Sequence, residues 1–191
     1  MSELERRGFE HTLAFHTAPT LLGIKCANLL SIAMDESDMV LFYPQFERRS
    51  GLRMQVLCQC RNRQLLYVYH EVLLKMQLSQ PQTVRFLEQY GYCKSMTVPE
   101  MLSHLAKRME CGDFPHEIGI FLGYPLADVQ GFIKNQGKNC LLCGCWKVYS
   151  NPEAAQRAFA NYDRCREILC DKLRQGCEFF RALELSKEEI S

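Results

Sequence analysis

The sequence lacks a long hydrophobic run. Its apolar-rich stretches, such as residues 20–34, are interrupted by Gly23, Lys25 and Asn28, and none reaches the roughly 18 residues that a membrane span needs. The start, MSELERRGFEH, is charged and has no apolar core of the kind found in signal peptides. We therefore expect a cytoplasmic protein that has no membrane-spanning segment and no membrane partner.

The sequence also lacks an excess of charge of either sign. Lys and Arg number 23 against 22 Asp and Glu, which gives a formal net charge of +1. Because no overall field attracts nucleic acid or acidic lipid, nucleic acid is a disfavoured partner. Repeats and low-complexity runs are missing, and the apolar share of 47% is typical of a globular protein. The length of 191 residues predicts one domain over residues 1–191.

Cysteine, in contrast, is abundant, with 11 residues. The odd count, in a chain without an export signal, disfavours a disulfide framework and indicates reduced thiols. For each single cysteine the commonest role is that of a small buried hydrophobe. A chain so rich in thiols is suited to a reducing or anaerobic cytoplasm.

Apolar residues at helical spacing predict that most of the chain is helical. The first helix covers residues 3–16 and is expected to stop at Ala18, because the residue before a proline is pushed out of the α region. Residues 20–30 fit either a short helix or an extended segment. Further helices are predicted at 71–78, after Pro81, after Thr97, after Asp113, after Pro125 and from Ser150 to about Gln175.

Strand patterns occur mainly in one part of the chain. Residues 53–60 alternate with a period of two, and residues 64–70 are rich in strand-forming side chains, with a polar turn between them. Together they predict a β-hairpin. The fold class is therefore α+β, mostly helical with a small antiparallel sheet from residues 39–69, which the strand 146–149 could extend. Residues 184–191 are predicted to form a flexible tail.

The stretch from Cys111 to Tyr149 is the densest in special residue types, and it contains three close cysteines. Cys140, Cys143 and Cys145 form the pattern C-x2-C-x-C, and two thiolates separated by two residues can bind one metal ion. A second C-x2-C pair is missing, since the other closely spaced cysteines, Cys58 and Cys60, form C-x-C in a predicted strand. The pattern is therefore half of a metal-binding motif. A metal site for iron or zinc, a reactive dithiol and plain packing all remain open.

A second candidate site consists of polar residues within apolar segments: His16, Lys25, His116 and Glu117. An imidazole beside a carboxylate can act as a general acid or base, bind a metal, or form a satisfied buried pair. Adjacent helical residues point about 100° apart, so His116 and Glu117 do not face one substrate directly. We predict these four as catalytic residues, provided that folding brings them to one pocket.

Two further patterns leave alternatives open. Residues 117–136 read as helix, turn and helix, which is compatible with a helix-turn-helix that reads DNA or with an ordinary helical hairpin. The aromatic residues Trp146, Tyr149, Phe159 and Tyr162 fit core packing or the stacking of a flat cofactor such as a flavin.

On these residues the chain resembles an uncharacterised bacterial family found mainly in anaerobic Gram-positive bacteria. The matching segments are FHTAPTLLGIKCANL (15–29), LLYVYH (65–70), FPHEIGIFLGYPLADVQGFIKNQGKN (114–139) and WKVY (146–149). The resemblance implies a link to iron or low-potential redox physiology. The family commonly has cysteine where this chain has Thr17, and it varies at Cys143 and Cys145, which weakens a metal site built on these thiols.

The functional hypothesis is a redox- or metal-linked accessory protein with a pocket at His16, Lys25, His116 and Glu117. Iron, zinc and flavin are the cofactors considered, and a small electron-transfer protein is the partner considered. The alternative is a non-catalytic interaction module or a DNA-binding protein that uses residues 117–136. The residues leave open whether the protein is an enzyme.

Overall fold

The computed structural model describes residues 2–33, 36–60, 63–110 and 114–190, with the side chains of 36–41 and 60 left aside. It confirms the predicted α+β class: mostly helical, with a small antiparallel sheet. The helices are α1 (Glu3–Leu21), α2 (Glu36–Ser50), α3 (Glu71–Leu78), α4 (Pro81–Glu88), α5 (Val98–Glu110), α6 (Ile118–Phe121), α7 (Leu126–Lys134), α8 (Pro152–Arg174) and α9 (Phe179–Ile190). The strands are β1 (Ala27–Ile32), β2 (Arg53–Cys60), β3 (Arg63–Tyr69), β4 (Leu142–Cys143) and β5 (Lys147–Val148).

The chain divides into two compact units. Unit 1 contains residues 1–70 and 161–191, and unit 2 contains residues 71–160. Helix α8 begins in unit 2 and ends in unit 1. The extent of a single domain over residues 1–191 stays a prediction.

The sheet of unit 1 has three antiparallel strands in the order β1-β3-β2. The predicted hairpin of β2 and β3 is confirmed. Its register shifts between Val56 and Cys58, so that the extra residue, Leu57, is buried. A bulge of this kind explains why the simple alternation expected for residues 53–60 fails midway.

Helices from both ends of the chain complete the core of unit 1. One cluster of buried side chains includes Leu13 of α1, Phe46 of α2, Leu66 of β3, Leu169 of α8 and Phe179 of α9. Because these apolar groups are removed from water together, burial stabilises the unit as a whole rather than any single helix.

The predicted end of the first helix at Ala18 is wrong. Helix α1 continues through Pro19 to Leu21, and residues 17–22 are all buried. A proline inside a helix removes one hydrogen bond and crowds the preceding turn. The helix nevertheless continues because the turn around Pro19 belongs to the core, and tertiary packing overrides local preference.

The predicted extent of the sheet, residues 39–69, is also wrong. Residues 36–50 form helix α2, which contains Pro44, and its side chains Phe42 and Phe46 are buried four residues apart on one face. Their rings stack at a centroid distance of 5.8 Å. The third strand of the sheet is instead β1, which pairs with β3 from Ala27 opposite Tyr69 to Ile32 opposite Gln64.

Unit 2 consists of short helices and a small hairpin. Helices α3 to α7 follow one another, and then β4 and β5 pair antiparallel with Leu142 opposite Val148. The strand predicted at 146–149 therefore exists as β5, but it belongs to this separate two-stranded sheet and does not extend the sheet of unit 1. The predicted cap Asp113 lies outside the described residues.

The C-terminal segment, which we predicted to be a flexible tail, is helical. Residues 184–190 belong to helix α9, where Ser186 is fully buried and its hydroxyl donates to the Ala182 carbonyl oxygen at 2.7 Å. The buried face includes Phe179, Phe180 and Leu183. Across the described ranges of the chain, no helix combines the length and the apolar character required to cross a bilayer.

Gly131 permits the close packing of α7 against Tyr149. A Cβ atom at residue 131 would lie 2.5 Å from the Tyr149 Cβ, and such an overlap forces backbone shifts. We expect Gly131→Ala to lower the free energy of unfolding by roughly 1–3 kcal/mol, as measured by urea denaturation.

The matched control is Gly8→Ala in α1, where nothing lies within 4 Å of the added Cβ. Alanine in place of glycine in an exposed helix should stabilise the protein by about 1 kcal/mol. A Gly131→Ala variant as stable as the unmodified protein would contradict the role of this glycine.

Candidate functional site

Two of the four predicted catalytic residues belong to unit 1. His16 is exposed on α1, where its ring meets the edge of Phe15 at 5.2 Å. Lys25 is 7% exposed in the turn after α1, and its Nζ lies 5.6 Å from the centroid of the Tyr162 ring. A cation over an aromatic face at this distance is a recognised stabilising contact. Lys25 is thus a buried cation, whereas His16 is a surface group.

The other two, His116 and Glu117, belong to unit 2. The side chain of His116 is exposed, and that of Glu117 is buried. Glu117 is 1% exposed and its carboxylate accepts hydrogen bonds from the Arg108 Nε and from the Tyr92 hydroxyl, the latter at 3.4 Å. The bond to Glu117 raises the pKa of the Arg108 guanidinium. Burial is the main cause that raises the pKa of Tyr92. Glu117 therefore forms a buried ion pair with Arg108. Convergence of all four residues on one pocket stays a prediction.

His116 is exposed and lines a cavity of about 350 Å³ in unit 2. We call it the aromatic cavity, because four of its lining residues are Phe114, Tyr124, Phe132 and Trp146. The edge of the His116 ring meets Phe132 at a centroid distance of 5.1 Å. Its other lining residues are Ile118, Gly119, Leu122, Asp128, Val129 and Lys147. All of them lie within the stretch that the sequence marked as unusual.

Trp146 and Tyr124 form one wall of the aromatic cavity. Their rings stack with centroids 5.1 Å apart, and Phe159 forms an edge contact with the indole at a centroid distance of 4.6 Å. The Tyr124 hydroxyl donates to the Cys145 carbonyl oxygen at 3.3 Å. Burial raises the pKa of Tyr124 to about 12. This wall is therefore uncharged at neutral pH.

Asp128 fixes the orientation of this wall. Its carboxylate is 2% exposed and accepts from the Trp146 indole Nε1 at 2.8 Å. It also accepts from the backbone N–H groups of Tyr149 and Ser150, both at 2.8 Å, and from the Ser150 hydroxyl at 2.7 Å. Four donors satisfy a buried charge that would otherwise be costly. Sequence reasoning missed this role, although the chain's only tryptophan needs a partner for its N–H.

Lys147 supplies positive charge at the aromatic cavity. Its Nζ donates to the Gly137 carbonyl oxygen at 2.7 Å and lies 5.9 Å from the Phe132 centroid. The accepting carbonyl belongs to the predicted turn 135–139, in which Gln136, Gly137 and Asn139 have positive φ. An ammonium has three donors, so Lys147 retains hydrogen-bonding capacity for an anionic ligand.

The three predicted metal ligands lie on the hairpin next to this cavity. Cys140 is half-buried, and Cys143 and Cys145 are exposed. Among the residues that the structure describes, no three His, Cys, Asp or Glu side chains are grouped so that they could bind one metal ion. The geometry thus offers no preformed set of ligands in this part of the chain.

The predicted helix-turn-helix at 117–136 corresponds to α6 and α7. Helix α6 has four residues, and Gly123 has a positive φ of 75° in the turn that follows. Gln130 and Lys134 of α7 are exposed. Asp128 is buried, and its carboxylate accepts the four hydrogen bonds described above. A DNA-binding role stays a prediction.

Comparison with known proteins shows a family without an assigned activity. The chain belongs to the DUF3793 family, described as proteins of unknown function, whose model matches residues 13–183. The resemblance to an uncharacterised family is confirmed to that extent. No curated protein matches the chain, and no solved structure does.

Removing one partner of the buried Arg108–Glu117 ion pair should lower the free energy of unfolding more than removing one partner of an exposed pair. Glu117→Gln keeps the shape of the side chain but removes the charge that Arg108 and Tyr92 face, and Arg108 is about one-third exposed. We expect the free energy of unfolding to fall by about 1–3 kcal/mol, measured by urea denaturation. The control Glu3→Gln breaks the exposed pair with Arg7, and its effect should stay within about 0.5 kcal/mol. Equal effects of the two substitutions would refute the structural role of Glu117.

The thiols should differ in reactivity. Burial raises the pKa of Cys26 to about 11 and also raises the pKa values of Cys165 and Cys170. Because the thiolate is the nucleophile, these three should react slowly with iodoacetamide, whereas the exposed Cys93, Cys143 and Cys145 should react first. Time-resolved alkylation followed by peptide mass spectrometry measures the order. Alkylation of Cys26 as fast as that of Cys143 would contradict this arrangement.

Proposed function

We propose that the protein is a cytoplasmic, redox-linked accessory protein that holds a planar cofactor of the flavin type in the aromatic cavity of unit 2. The observation that carries the proposal is the stacked Tyr124–Trp146 wall facing a cavity of about 350 Å³. Ligand pockets range from roughly 300 to 1,000 Å³ and are lined mostly by apolar and aromatic groups with a few polar ones.

The charges at the cavity favour a ligand with an anionic group. Lys147 is a cation at its edge, and His116 is a second donor near the same Phe132 ring. Asp128 is the only acidic residue among the described residues that line the cavity, and its oxygen atoms accept the four donors described above. A flavin mononucleotide has both a planar ring for the aromatic faces and a phosphate for Lys147.

Of the four predicted catalytic residues, only His116 lines the proposed flavin cavity. Glu117 instead forms the ion pair with Arg108. A contribution of His16 and Lys25 to the same ligand is part of the hypothesis and is untested, as is an iron or zinc site at Cys140, Cys143 and Cys145. The link to iron or low-potential redox physiology that the resemblance implies supports a redox role, and a small electron-transfer protein remains the partner considered.

Trp146 is the only tryptophan, so its fluorescence reports directly on the aromatic cavity. We expect flavin mononucleotide to quench this fluorescence saturably, and Phe132→Leu to weaken binding up to roughly tenfold through the loss of ring contacts. Lys147→Gln should weaken binding of flavin mononucleotide several-fold and leave riboflavin, which lacks the phosphate, unchanged.

The control variant is Lys134→Gln, which removes an equal charge from an exposed position on α7 away from the cavity. Absorbance and elemental analysis of the protein purified without oxygen complete the test, because they detect a bound flavin or metal independently. If neither flavin changes Trp146 fluorescence and the anaerobic protein is colourless, the flavin proposal is wrong.

A further inference from the structure

Unit 2 has a second cavity, of about 450 Å³, whose lining shares no residue with the aromatic cavity. It lies among α3, α4 and the segment that leads into α5. Its floor is formed by side chains that are at most 9% exposed: Leu78, Leu87, Tyr92, Val98 and Met101. We call it the second cavity. Apart from the Tyr92 hydroxyl, which is bonded to Glu117, this floor offers only apolar surface.

The rim of the second cavity carries two lysines. Lys75 lies on α3 and Lys94 lies in the segment before α5, and both are exposed. Among the described residues, neither ammonium group has an acidic partner. Both charges are therefore available at the cavity mouth, and the apolar floor of the cavity focuses their field.

The described residues that line the second cavity carry a net positive charge. Glu71 is the single acidic residue among the described lining residues, against the two lysines. Glu100, one turn into α5, accepts from the Thr97 backbone N–H at 2.7 Å and from its hydroxyl at 2.8 Å. The backbone hydrogen bond from Thr97 is the main cause that lowers the pKa of Glu100. This carboxylate belongs to the helix cap.

We propose that the second cavity binds an amphiphilic anion, with a short apolar body on the buried floor and one carboxylate or phosphate head between Lys75 and Lys94. The buried floor supplies affinity by removing apolar surface from water. A lysine ammonium is a point charge that pairs with either head group. Because the two cavities share no lining residue, this site is independent of the flavin proposal.

Octanoate and octyl phosphate are the two test ligands, titrated calorimetrically against the full chain. We expect saturable binding of at least one, which then identifies the head group, and weaker binding at higher salt because exposed charges are screened. Octanol and octylammonium should bind at least roughly fivefold more weakly, which corresponds to about 1 kcal/mol. Trp146 fluorescence should not change, because this residue lies in the other cavity.

The double variant that carries both Lys75→Gln and Lys94→Gln should bind the anion roughly five- to tenfold more weakly. Its affinity for octanol should be unchanged. The matched control combines Lys134→Gln with Lys138→Gln, two exposed lysines of unit 2 that line neither cavity. The proposal is overturned if neither anion binds, if octanol binds as tightly as the anions, or if both double variants reduce binding equally.

Discussion

The carboxylate of Asp128 is the interaction on which the architecture of the aromatic cavity depends. It joins helix α7 to the segment 146–150, which contains no regular structure beyond the two residues of β5. Hydrogen bonds to a charged group contribute about 1.5–3 kcal/mol each, which is more than so short a strand pair can supply. The position of Trp146, and with it the shape of the cavity, follows from a single buried acid.

A second buried acid in unit 2, Glu117, joins Arg108 and Tyr92. Its partner Tyr92 belongs to the floor of the second cavity, and its chain neighbour His116 lines the aromatic cavity. The two cavities share no lining residue, and their linings are chemically different. One offers aromatic faces and a single cation, and the other offers an aliphatic floor below two cations.

Sequence reasoning succeeded where local signals agreed with tertiary packing. The hairpin of β2 and β3 and the long helix α8 are such cases, because strand alternation and helix-starting residues are local properties. It failed at Pro19, where burial outweighs a local rule, and at α9, whose apolar residues are interspersed with charges. For the candidate site, the sequence suggested His116 but not its contact with Phe132, because a contact between residues 16 positions apart depends on how the chain between them folds. A functional role of His116 stays a prediction.

The order of the two units along the chain has a consequence for biosynthesis. Unit 2 is complete once Ala160 has been made, whereas the core of unit 1 requires Phe179 to meet Leu13 across more than 160 residues of intervening chain. Domains generally fold as units during synthesis, which proceeds from the N-terminus. The N-terminal helix and the three-stranded sheet therefore emerge from the ribosome long before their covering helices, and during that interval their apolar faces lack the partners that cover them in the folded unit.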